Sequence, residues 1–251
     1  MSKISAVIIA KNEESMIEDA IQSLKFADNI IVIDNNSTDK TADISQKLGA
    51  KVFSSEINDF AKLRDFAKSK VKTTYILYID ADERVSTDLA TEIKKVVKQN
   101  SDDIACYRLS RQNYYLGNNP WPYIEKLERM FRTNKLKKWS GKLHETAIYE
   151  GNSQDLDSLI FHYTHRDLTQ MIEKTNIWSD IEAKNRYDSN HPPMVWWRFP
   201  RVMVSEFSNS YFSQGGWRAG TVGLIESIYQ AFSIFITYSK LWELQQKNEK
   251  K

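Results

Sequence analysis

Two carboxylates one residue apart, Asp80 and Asp82, stand where the apolar and aromatic run Tyr75-Ile76-Leu77-Tyr78-Ile79 ends. The run reads as a buried strand, and the carboxyl end of a parallel strand opens on the crevice where α/β sheets bind ligands. There the pair offers acceptor-only oxygens, which suit a hard cation such as Mg2+ or Mn2+ and, through it, a phosphate. The same residues would also make a solvated acidic turn in which Asp82 or Glu83 caps the next helix. The elements around them decide between the two.

Those elements alternate. Ile4 to Ala10 is a short β-rich run followed by Asn12, a turn or N-cap residue, and by Glu13 and Glu14 in a helical first turn. Met16, Ile17, Ala20, Ile21 and Leu24 then recur at helical spacing. Asn29 to Asp34 is a second strand, and the turn residues Asn35-Asn36-Ser37-Thr38-Asp39 lead into a helix over 38–48 that Gly49 ends at C′. Ala50 to Phe53 is a third strand, Asp59 to Lys70 a helix, and Thr74 to Ile79 the fourth strand, which delivers Asp80. Ser86 or Thr87 caps a helix over Asp88 to Lys98. Strands and helices in this order predict right-handed βαβ units around a mostly parallel sheet.

After Ser101 the rhythm changes. Strands are expected at Ala105–Leu109 and Lys138–Tyr149, a loop at Asn118–Pro122, a long helix over Asp167–Arg186 and a last helix over Val222–Leu244. That last helix is read with Ile225, Ile228, Tyr229, Phe232 and Ile236 on one face and with Phe235, Tyr238 and Trp242 exposed on a neighbouring face.

The 251 residues allow one large α/β domain or a domain with an appendage, and a formal charge of +2 gives no argument for nucleic acid. The basic run Lys126, Arg129, Arg132, Lys135, Lys137, Lys138 and Lys142 is either a solvated surface or an anion site. A single cysteine, Cys106, excludes an intrachain disulfide and a cysteine zinc site. The run Ile4–Ala10 is too short for a signal-peptide core, and polar breaks interrupt every stretch of membrane-spanning length. There is neither a dinucleotide-binding glycine fingerprint nor a P-loop.

Three motifs follow the strands in order: Ala10-Lys11-Asn12-Glu13, then Asp34-Asn35-Asn36-Ser37-Thr38-Asp39, then Asp80-Ala81-Asp82-Glu83-Arg84. Together they resemble family 2 glycosyltransferases of the GT-A fold. The nearest subgroup resembles the bacterial β-glycosyltransferases that build lipopolysaccharide inner core and related cell-surface glycans. Trp139-Ser140-Gly141-Lys142-Leu143-His144-Glu145 is similar to that subgroup's Gly-x-x-His-Glu element, and Tyr238-Ser239-Lys240-Leu241-Trp242-Glu243 to its aromatic carboxyl end. The resemblance implies a GT-A, Rossmann-like sheet flanked by helices, with a helical amphipathic extension. It divides the chain into a nucleotide-sugar-binding half over 1–100, an acceptor-side half over 101–165 and a helical region over 166–251.

The same resemblance implies residue roles. Ala10, Asn12, Glu13, Asp34 and Asn35 would line the base and ribose of a nucleotide-sugar donor. Asp80, with Ala81, would meet the ribose or the water shell of Mg2+ or Mn2+, and Asp82 would ligate the metal. Asn36 replaces the subgroup's usual glycine, a position Asn tolerates at positive φ. Arg64 would take the diphosphate, since a guanidinium matches phosphate geometry. Asp65 replaces an asparagine and would repel a phosphate unless it points away or pairs with Arg64. Inverting transfer of a hexose from a UDP-sugar to a glycan or glycolipid hydroxyl needs a general base, for which Glu145, beside His144, is the first candidate and Glu83 the second. His162 is expected to be packed or to face the acceptor.

Trp196, Trp197, Phe199, Tyr211, Phe212, Trp217 and Trp242 alternate with Arg198, Arg201 and Arg218. Aromatics beside cations suit a headgroup boundary, and the resemblance places such enzymes at the cytoplasmic face of the membrane. Packing against the catalytic domain, or a homo-oligomer interface, would use the same residues. The rivals are a nucleotidyltransferase-like Mg2+ enzyme, which would carry a Gly-rich basic loop after its first strand, and a non-catalytic nucleotide-sugar-binding module.

Overall fold

The structure is a computed structural model that describes residues 3–141 and 145–249. The chain forms two compact units, residues 1–112 with 124–162, and residues 113–123 with 163–251.

The first unit is organised by strands β1 (Ile4–Ala10), β2 (Asn29–Asp34), β3 (Lys51–Ser54) and β4 (Tyr75–Asp80). They pair in parallel in the order β3-β2-β1-β4 and are linked by helices α1 (Ile17–Ser23), α2 (Thr41–Lys47) and α3 (Phe60–Ser69). The alternation of side chains along β1 sends Ala6 and Ile8 into one apolar layer and Val7 into the other. The first layer packs on α1 through Ile17, Ala20 and Ile21, and the second on α3 through Ala61, Leu63 and Ala67. Burial on both faces explains why these strands are continuous apolar runs. The expected α/β architecture is present, and the first two strands have the expected limits.

Beyond β4 come β5 (Glu83–Val85) and α4 (Thr87–Gln99), whose N-cap is Ser86, its hydroxyl accepting from Leu89 N at 3.1 Å. The sheet then continues through β7 (Asn119–Arg132), β6 (Ile104–Tyr115) and β10 (Asn152–Tyr163) to β5. β7 runs antiparallel to β4, with Leu77 opposite Met130.

Several sequence expectations change here. The loop expected at Asn118–Pro122 lies largely within β7, a strand the mixed charges concealed. The single strand expected over Lys138–Tyr149 is two, β8 (Leu136–Ser140) and β9 (Thr146–Tyr149), paired antiparallel as a separate ladder. Asn12 caps no helix: it sits at φ +54°, and α1 begins only at Ile17. The helix expected from Thr38 begins at Thr41, because residues 38–40 instead bond to the loop after β1. Asn36 (φ +58°) and Gly49 (φ +85°) occupy the left-handed positions expected of them.

The second unit contains α5 (Leu168–Asp188), α6 (Arg198–Ser208), a π-helical turn at Asn209–Ser213, a 3-10 turn at Gly216–Ala219 and α7 (Gly220–Glu249). The close approach at Gly216 requires glycine, since a Cβ there would lie 2.7 Å from the Trp121 ring and 2.9 Å from the Ser210 carbonyl. The reading of the last helix holds in part: Trp242 is exposed as expected and Tyr229 is buried, but Ile228 and Phe232 are exposed, and Tyr238, expected outward, joins a small core with Leu241, Ala183 and Met194. The expectation that no segment reaches membrane-spanning length also changes. Gly216–Lys247 includes a helix long and apolar enough to cross a bilayer, although core helices of soluble proteins pass the same test.

Candidate active site

Strand register assembles the site. Ala10 pairs with Asp34 across β1 and β2, and Ile9 with Asp80 across β1 and β4, so three strand ends meet at one carboxyl edge. Ligands of open α/β sheets bind outside such edges. The loops that follow are tied to one another. Asn12 N donates to Ser37 Oγ at 2.9 Å, Asn12 Oδ1 accepts from Thr38 N at 2.8 Å, and Glu13 N donates to Thr41 Oγ1 at 2.8 Å. Asn12 thus shapes the pocket wall through its bonds to the neighbouring loop.

Asp34 is buried, and its Oδ2 accepts a 3.3 Å bond from Ser37 N. Its Oδ1 is also buried and has no hydrogen-bond partner among the described residues. A buried acceptor without a donor is unfavourable by about 1–3 kcal/mol, so the position is suited to an N–H or O–H brought by a ligand. Asn35, with its amide nitrogen turned toward them, donates to Ser55 O at 3.0 Å and Ile57 O at 3.3 Å. That leaves its oxygen as the group able to meet a donor.

Asp80 and Asp82, though adjacent, have different surroundings. Asp80 accepts from Arg129 Nη2 at 2.9 Å and lies 3.5 Å from Arg64 Nη2. Burial raises its pKa, but Arg129, then Arg64 and His162, outweigh burial and hold the carboxyl well below the usual carboxylate range. Ala81 is buried, and its carbonyl accepts from Arg84 Nη1 at 2.8 Å, which fixes the turn between the two aspartates. Asp82 faces His162, whose Nε2 is 3.3 Å from Asp82 Oδ2. His162 therefore belongs to this side of the site, on β10 opposite Glu83.

Glu83 is fully buried on β5 and is the anchor of the cluster. It accepts from Arg111 Nη1 at 3.1 Å, from Arg129 Nη2 at 2.9 Å and from the Asp80 backbone N at 3.0 Å. Its oxygens are taken up by these bonds and it is fully buried, so it is poorly placed to reach an acceptor hydroxyl. Burial works against the charge of Arg129, yet Asp80 and Glu83 raise its pKa above the usual arginine value. Arg129→Met should therefore destabilise the protein by about 3–5 kcal/mol, because two carboxylates lose their shared counter-charge; urea unfolding checks this.

Arg64, buried on α3, bridges the two halves of the candidate set. Its Nε donates to Glu145 Oε1 at 2.7 Å, and its guanidinium lies over the rings of Trp139 (4.9 Å) and Tyr78 (5.4 Å). The neighbouring Asp65 accepts from Trp139 N at 2.9 Å, a backbone bond that engages one of its oxygens. Glu145 is mostly buried. His144 lies outside the described residues.

Among the described residues, part of the basic run is taken up in separate ion pairs. Arg129 and Arg132 turn inward, Lys126 pairs with Asp155 at 2.5 Å and Lys137 with Glu150 at 3.0 Å. Sequence reasoning missed Arg111 and saw Arg129 only as part of a basic run, because nothing local marks a strand arginine as paired with a carboxylate 28 or 46 residues earlier. Cys106 is buried, and burial pushes its thiol up to about 12, so it takes no part in chemistry at neutral pH.

Among the described residues no cluster of three or more His, Cys, Asp or Glu is arranged to hold an ion. Mg2+ does not need one, since it commonly takes one or two carboxylates and completes its shell with water and substrate phosphate. Both oxygens of Asp80 face arginines, whereas Asp82 Oδ2 lies beside the His162 imidazole, so the two carboxylates would meet an ion from different surroundings.

These features define an α/β fold with carboxylates and arginines gathered at the carboxyl edge of its parallel strands. The profile of Glycosyl transferase family 2 matches residues 5–154, and the chain belongs to that family. An uncharacterized glycosyltransferase of Rickettsia bellii is 30% identical over 266 residues, covering 96% of this chain and 87% of the relative. The lipopolysaccharide core biosynthesis glycosyltransferase LpsC of Rhizobium meliloti is 28% identical over 253 residues, covering 96% of this chain and 92% of LpsC. A solved structure of glucosyl-3-phosphoglycerate synthase from Mycobacterium tuberculosis, in complex with Mn2+, UDP and glucosyl-3-phosphoglycerate, is 23% identical with a TM-score of 0.37 over 44% of each chain. That superposition is too partial to carry residue roles across.

Proposed function

We propose that this family 2 glycosyltransferase moves a hexose from a UDP-sugar to a hydroxyl of a lipid-linked or cell-surface glycan, with inversion. The observation that carries the reading is the alignment of Asp34, Asp80 and the Arg64–Glu145 pair along one sheet edge. Asp34 Oδ1 is the acceptor for an N–H of the base, and Ala10, Asn12, Glu13 and Asn35 shape the pocket around base and ribose. Asp80, held by Arg129, faces the ribose, and the Asp80-Ala81-Asp82 turn serves as a DXD motif. Asp82, with Asp80 nearby, would hold a Mg2+ or Mn2+ ion, which when bound neutralises charge on the departing diphosphate.

Arg64 is placed to answer the same diphosphate. When a phosphate draws Arg64 toward itself, the Glu145 oxygen it now occupies becomes open to the acceptor. Glu145 takes the proton of the acceptor hydroxyl as that oxygen attacks the anomeric carbon, and the bond to the diphosphate breaks with its electron pair leaving on the phosphate oxygen. His144, adjacent in sequence, orients Glu145 or meets the phosphate.

The name of LpsC supports an envelope glycan as acceptor. With it goes a peripheral location at the cytoplasmic face of the membrane, through the aromatic and arginine residues of the helical region 166–251. A thermal-shift screen of nucleotide sugars with and without Mn2+ tests the donor assignment. A UDP-sugar at about 100 times its Kd should raise Tm by roughly 5–10 °C, and only with the ion present. No shift with any nucleotide sugar would remove the assignment.

A further inference from the structure

Beside its small apolar core, the second unit buries several polar groups and exposes a set of large apolar ones. On α7, Glu226, Ser227, Tyr229 and Thr237 are buried, and Glu226 is only 1% exposed. They meet partners within the unit: Tyr229 Oη donates to Met171 O at 2.6 Å and lies 2.6 Å from Thr175 Oγ1, and Glu226 Oε1 lies 2.9 Å from His165 Nδ1. The inward residues of α5 include the small or polar Thr175, Ser179 and Ala183 at four-residue spacing. The outward stripe of α7 carries Leu224, Ile228 and Phe232, again four residues apart, at 42%, 54% and 41% exposure, followed by Trp242 at 43%. A helix on a water-soluble protein turns its apolar stripe inward. Contacts through small and hydroxyl side chains, with large apolar groups facing out, are how helices associate when the surrounding medium is hydrocarbon.

The immersion is one-sided. α5 also exposes Lys174, Asp180 and Lys184, so lipid does not surround the unit. At the boundary, Arg218 lies over the Trp217 ring at 5.0 Å, and Arg198 and Arg201 over Trp197 at 5.4 and 5.9 Å. Such pairs keep an apolar body next to lipid and a cation next to anionic headgroups.

We infer that the Leu224–Ile228–Phe232 stripe of α7 lies within the acyl region of one leaflet of an anionic bilayer. The enzyme is then held monotopically by hydrocarbon burial and not by headgroup contact alone. The inference rests on the membrane part of the proposed function and is independent of the transfer chemistry.

The test uses the full chain carrying Ile228→Cys, labelled with an environment-sensitive fluorophore; buried Cys106 is shielded from the reagent. With phosphatidylcholine–phosphatidylglycerol vesicles, acyl-brominated lipid should quench the label, and the protein should stay with the vesicles in high salt. Ile228→Glu with Phe232→Glu should lower the vesicle-bound fraction by roughly tenfold or more, while the thermal response to nucleotide stays as in the parent and so reports an intact fold. An unquenched label, release by salt alone, or a stable dimer in solution that shields the label would overturn the inference. Loss of the nucleotide response in the unsubstituted protein would count against the donor site instead.

Discussion

Glu145→Gln is expected to lower kcat by about 100- to 10,000-fold, the range a positioned general base contributes, with donor binding retained. The amide is close to isosteric and keeps an oxygen toward Arg64 Nε, but it cannot take a proton from the acceptor hydroxyl. In the structure the Glu145 carboxylate holds Arg64 at 2.7 Å. Removing its charge loosens Arg64 for the diphosphate, so donor affinity should stay level or rise slightly. Steady-state kinetics with a separate binding measurement divides the two effects. Turnover at the parent rate would take the base role away from Glu145.

Asp82→Ala is expected to weaken nucleotide binding in the presence of Mn2+ by about 100-fold, since it removes one of the two carboxylates proposed to hold the ion. The fold should be nearly unaffected. The bonds that organise the cluster run through Asp80, Glu83, Arg111 and Arg129, and Asp82 meets it from the His162 side. Calorimetric titration of UDP into both proteins, with Mn2+ and then with EDTA, checks this. The parent with EDTA and the variant with Mn2+ should behave alike. Equal affinity in all four arms would exclude a metal at Asp82.

The parallel half of the sheet was legible because its signals are local. Ile4–Ala10 and Asn29–Asp34 are apolar runs bounded by turn residues, and their limits match the structure. β7 was hidden because its charges sit at inward positions. Arg129 and Arg132 are buried, and the partners that permit this lie near Asp80, Glu83 and Asn100, far away in sequence. The Arg64–Glu145 bond spans 81 residues and joins a helix to the segment before β9, so each residue could be singled out but not their contact. The faces of α7 were only partly legible, because periodicity alone does not tell which of two apolar stripes packs: Glu226 and Ser227 turn inward while Ile228 turns out.

Release of UDP from UDP-hexoses by the purified full chain, followed with Mn2+ and then with EDTA, is the most direct measurement of whether this edge of the sheet performs transfer. Release with Mn2+ that stops on chelation and is lost in both Glu145→Gln and Asp82→Ala is the expected result. A protein that binds UDP-hexoses yet releases no UDP, with or without added glycolipid acceptor, would be a binding module and would contradict the assignment of chemistry to this site.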